Sequence, residues 1–126
     1  MITTETVPQQ TEHFEWLSAV GFYNSYLDII GDRLEALTCL DGHLFDERKA
    51  NLFQEKLQEL RDNLSLISYA VNEHIDEVEM ASSVENRLEM DLQCMHHTGL
   101  REKFEQFETQ VNDFRSAFNE FYVRLL

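Results

Sequence analysis

His97 to Leu125 reads HTGLREKFEQFETQVNDFRSAFNEFYVRL. Its apolar row is Leu100, Phe104, Phe107, Val111, Phe114, Phe118, Phe121 and Leu125, and His97 falls on the same row. The intervals alternate between three and four residues, the repeat that lines up one face of a helix packed in a bundle. A strand needs alternation by two, so this stretch decides for helix.

Two further stretches repeat the pattern. One runs His13, Trp16, Val20, Tyr23, Leu27, Ile30, Leu34, Leu37; the other runs Phe53, Leu57, Leu60, Leu64, Ile67, Val71, His74, Val78. Thr11 is a candidate N-cap, and Asp41-Gly42 suits a helix exit, because glycine tolerates the left-handed conformation found there. Asp46 is a candidate cap for the second helix, and Thr98-Gly99 reads as a break before the last. These signals predict long helices at about 12–40, 46–79 and 98–125. Ser82 and Glu85 have capping-box spacing, and Ala81, Val84, Leu88, Leu92 and Met95 form a brief stripe, which predicts a short helix within 80–96. A single long helix through that region is the competing reading. The fold expected is an all-α, up-down bundle in one domain, residues 11–126.

Composition agrees. The 126 residues include only four glycines and one proline, too few for the turns of an all-β fold. Twenty-four acids against ten bases give a net charge of −14, which repels phosphate backbones and anionic membrane surfaces. The expectation is therefore no nucleic-acid partner and no membrane partner. No apolar run is long enough to span a bilayer. Met1 to Gln10 carries neither a basic residue nor an apolar run. It reads as a disordered polar tail rather than a signal peptide. Cys39 and Cys94 are too few for a secreted disulfide framework and fall at opposite ends of the expected bundle. The compartment expected is the cytoplasm.

The histidines carry the sharpest signal. His13, His74 and His97 each sit on a core row. If the first helix runs up, the second down and the last up, with the first turn near His43, all three meet at one end. Imidazole is the commonest protein ligand for zinc, copper and iron, and three histidines with one open position form a known zinc arrangement. Glu12, Glu73, Glu77, Cys94 and His96 are nearby candidates for support. The cofactor expectation is none, or a divalent transition metal such as zinc. The competing reading is a bundle end that tolerates polar residues. Acids near these histidines are expected to raise their pKa values.

Other chemistry has little support. No nucleophile motif, glycine-rich phosphate loop or Cys-x-x-Cys pair occurs. No Glu-x-x-His pair of the di-iron type stands at a core position. The phenylalanine row reads as core, with an apolar ligand slot as its alternative. A second apolar line on the first helix, Phe14, Phe22, Tyr26, Ile29 and Leu40, is wider than two neighbours require. It points to a homodimer through Phe22, Tyr26 and Ile29, or to packing against the short 80–96 element.

Trp16-Leu17, Phe22-Tyr23, Asn72-Glu73-His74, His96-His97, Leu100-Arg101 and the phenylalanine-rich last helix together resemble a family of small acidic bacterial helical-bundle proteins with no established function. The resemblance spans most of the chain and implies a helical bundle; it lends no site residues. The chain is also superficially similar to hemerythrin-like bundles, but lacks their His-x-x-x-Glu and His-x-x-x-His pairs. The first functional reading is a non-enzymatic binding or interaction protein with an unidentified protein partner. The alternative is a metal-binding bundle, and a metal-dependent enzyme comes third.

Overall fold

Pro8 falls in the first turn of a helix, where its fixed φ suits the helix and its missing N–H has no intrahelical partner to lose. The first helix accordingly starts before Thr11. The computed structural model describes the backbone of residues 7–37, 47–81 and 87–125, and the side chains of 11–37, 47–79 and 95–124. The described residues form three helices: α1 (Val7–Leu37), α2 (Glu47–Ala81) and α3 (Arg87–Leu125). No strand occurs among them, and no helix is long and apolar enough to cross a membrane.

Two boundaries differ from expectation. Thr11 lies inside α1, not at its cap. The helix expected to start at 98 begins at Arg87 and runs unbroken through Thr98-Gly99, so residues 87–96 belong to α3 and not to a separate short helix. Glycine in a helix interior costs about 1 kcal/mol relative to alanine. Burial of His97 and Leu100 on either side outweighs that cost. The sites expected at Cys39, Asp41-Gly42, His43, Asp46 and the Ser82/Glu85 box lie outside the described residues, as does the side chain of Cys94.

The three rows form the core. From α1, Trp16, Val20, Leu27, Ile30, Leu34 and Leu37 are buried; from α2, Leu57, Leu60, Leu64, Ile67, Val71 and Val78; from α3, Leu100 and every row position from Phe104 to Phe121. Each large side chain so buried contributes about 1.5–3 kcal/mol. α2 packs against both α1 and α3. Arg61 of α2 donates to the Leu27 carbonyl and lies over Gly31, whose lack of a side chain admits the guanidinium. Phe53 meets Phe114, Phe118 and Phe121 edge-on or tilted, at 5.0–5.8 Å between ring centroids. Tyr23 of α1 meets Phe107 of α3 at 5.4 Å, and Arg33 sits over the Tyr122 ring.

The second apolar line of α1 is different. Phe14, Phe22 and Ile29 are exposed, with Phe22 edge-on to the neighbouring Tyr23 ring.

Candidate metal centre

His13 lies one turn before Trp16 on α1, His74 one turn after Val71 on α2, and His97 one turn before Leu100 on α3. Each therefore continues a buried row, and the helix packing that buries the rows buries the rings: His13 is 5% exposed, His74 4% and His97 3%. Ring centroids lie 4.8 Å apart for His13–His97, 4.9 Å for His13–His74 and 5.5 Å for His74–His97. One imidazole nitrogen of each lies within 4.8 Å of the other two. Trp16 floors the cluster, 4.8 Å from His97 and 5.5 Å from His13, and itself stacks on Phe104.

The hydrogen bonds fix the roles of the nitrogens. His97 Nε2 donates to Glu12 Oε1 at 2.5 Å. Its Nδ1 is then an acceptor, and His13 Nε2 donates to it at 2.9 Å. Glu12 is itself held by Arg101, whose Nε and Nη2 donate to both carboxylate oxygens at 2.8–3.2 Å. A guanidinium fork on a carboxylate is the most directional of the ion pairs, and here it aims the carboxylate at His97. His74 has no such support: its Nδ1 is buried without a hydrogen-bond partner.

The electrostatics follow from burial. The Arg101 guanidinium holds the Glu12 carboxyl below its ordinary range, with burial opposing and His97 assisting. Burial pushes the His13 imidazole down, the neighbouring His97 adds to this, and Glu12 opposes. Burial pushes His74 down to about 4, helped by His13 and His97 and opposed by Glu77. The sequence leads one to expect raised values; Glu12 and Glu77 do act in that direction, but desolvation of a charged ring outweighs one partly screened carboxylate. Both rings are thus neutral at pH 7, the form in which imidazole ligates a metal.

The remaining candidates separate. Glu12 orients His97. Glu77 pairs with His96 at 3.4 Å, and with His74 they make a second set whose ligand atoms lie within 4.8 Å. Glu73 lies outside both sets and lines a cleft beside His74. Arg101 is a residue of the cluster that the sequence reading missed. Its signal was present: it stands four residues after His97, on the same helix face. The phenylalanine row is core, and Phe53, Phe114 and Phe121 also line a groove of about 690 Å³ far along the bundle, with Lys49, Lys56 and Arg124 at its edge.

No family model matches the chain, and neither the curated proteins nor the solved structures include a significant match.

Proposed function

We propose that the protein is a divalent-transition-metal-binding helical bundle, with His13, His74 and His97 as its protein ligands. The observation that carries this reading is the convergence of three buried imidazoles with one nitrogen of each within 4.8 Å of the others. Nitrogens bound about 2.0–2.1 Å from a tetrahedral zinc sit about 3.3 Å apart. The 2.9 Å His13–His97 pair has only to open slightly, and His74 to move inward. A divalent ion takes the place of the proton between His13 Nε2 and His97 Nδ1, and His13 shifts to the neutral tautomer with its proton on Nδ1. The Arg101–Glu12–His97 chain is the carboxylate–histidine support that such ligands usually have. The reading takes the helices as up-down-up. His13 facing both His74 and His97, Arg61 facing Leu27, and Phe53 facing Phe121 support that order. The low cysteine count supports a cytoplasmic location.

Thermal denaturation of untagged protein with and without zinc or cobalt tests the site. A metal at a hundredfold excess over its Kd adds about 2.7 kcal/mol, about 10 °C in Tm for a domain this size. His74→Leu removes the shift and His43→Ala keeps it. An unchanged Tm in saturating zinc, cobalt and iron overturns the proposal.

A second proposal rests on a separate observation. Phe22 and Ile29 are exposed on one face of α1 with the partly buried Tyr26 between them, as a homodimer contact requires. Sedimentation equilibrium tests it: a monomer at high concentration refutes it.

A further inference from the structure

A site whose three ligands are 3–5% exposed needs a way in. On the α1 and α3 side, the way is closed by the Trp16 ring against His97 and by the Glu12–Arg101 clamp. Between α2 and α3 it is open. A cleft of about 320 Å³ there has His74 in its wall, with Glu73, Glu77, His96 and Lys103 around it. Gly99 also lines it and presents no side chain, so a Cβ added there meets nothing within 4 Å. Glu77 and His96 stand at the solvent side, with side chains 45% and 57% exposed. Together with His74 they form a second set of three ligand atoms within 4.8 Å. His74 belongs to both sets, and its buried Nδ1 has no partner.

We infer that His74, Glu77 and His96 form a loading site: a divalent transition-metal ion is captured in the cleft and handed by His74 to His13 and His97. The inference rests on the metal-binding reading of the buried triad and adds a route to it. Glu77 supplies the negative charge that draws a hydrated cation, and His96 the first imidazole. His74 is the only ligand kept through the transfer, so the ion is never released to solvent on its way inward. The handover uses one His74 nitrogen for the two sets in turn, so the chain holds one ion at a time. Lys103, on the cleft wall, opposes the incoming charge.

Stopped-flow uptake of cobalt(II), followed by its visible d–d absorption in the intact chain, tests this. In the Glu77→Gln/His96→Gln double variant, uptake slows by at least about tenfold, the lower end of what a charged entry site contributes to association. Release slows by the same factor, because the ion leaves by the route it entered, and the final spectrum is that of the wild type. Lys103→Gln speeds uptake. Both positions are exposed, and an unchanged Tm of the metal-free variants verifies the fold; Glu77→Gln alone repeats the test with a smaller change. Wild-type protein that binds cobalt at a rate indifferent to all these changes overturns the loading site and leaves the triad standing. Two cobalt ions per chain overturn the handover. Wild-type protein that takes up no cobalt overturns the buried site itself, and the loading site with it.

Discussion

His74 titrates at about 4 in the folded chain, against an ordinary histidine value of 6.5. The unfolded chain therefore binds a proton there at a pH where the folded chain does not, and stability falls as pH falls. The loss begins near pH 6.5 and levels off below the folded value. At about 1.36 kcal/mol per pH unit, the loss is about 2 kcal/mol at pH 5 and about 3 kcal/mol at pH 4. His13 is shifted in the same direction and adds to it. Urea denaturation in the presence of a chelator, at pH 7.5 and pH 5, measures the effect. With a urea dependence of about 1–3 kcal/mol per molar, the wild-type midpoint drops by about 0.7–2 M. His74→Leu keeps the volume and removes the titration, so its drop is smaller by about 2 kcal/mol at pH 5. Equal pH dependence in the two proteins would refute the reasoning, because it would mean that His74 is neither desolvated nor held neutral by the fold.

Truncating Leu64 or Phe114 to alanine costs about 2–5 kcal/mol by chemical denaturation; a loss near zero would remove them from the core. Gly21 sits within α1 with open space at its Cβ position, so Gly21→Ala stabilises the protein by about 0.5–1 kcal/mol, read as a higher Tm. Arg101→Gln releases Glu12 and leaves His97 free to turn, so zinc affinity measured by titration calorimetry falls by about 10–100-fold while the fold is retained; an unchanged affinity denies Arg101 its positioning role.

The rows were legible because burial imposes a period, and a period survives in one dimension. Every row position from Trp16 to Leu37 is buried except the partly covered Tyr23, and His13, His74 and His97 were found by the same rule. Helix ends were less legible, because local signals compete with packing. Gly99 reads as a stop only if nothing behind it needs burying, and His97 does. Pro8 reads as tail when the row is taken to begin at His13, although proline is at home in a first turn. The pKa values of His13 and His74 run against the sequence reading for a related reason. Glu73, Asp76, Glu77 and Glu79 are visible in the sequence as charge, but their distance from the ring and the ring's exposure are not. The spacing of Arg101 from His97 was legible, but its partner Glu12, 89 residues away, was not, and only the fold brings them together.

Polar residues at the end of a bundle are commonly there because water reaches them, but the cluster does not fit that account. Its rings are almost wholly enclosed, His74 leaves a buried nitrogen unpaired, and burial lowers the proton affinity of both His13 and His74. An unmade hydrogen bond of this kind costs about 1–3 kcal/mol. Leucine or phenylalanine at 13, 74 and 97 would continue the rows without it, and without the loss of stability in acid. Arg101 and Glu12 meanwhile hold His97 in one orientation, which packing alone does not need. A bound cation answers each point: it gives His74 a partner, requires the rings neutral, and uses the one lone pair that Glu12 leaves available on His97. Strain against the local rules of packing, combined with a support built to aim a donor atom, is the pattern expected where a fold has been bent to a binding site.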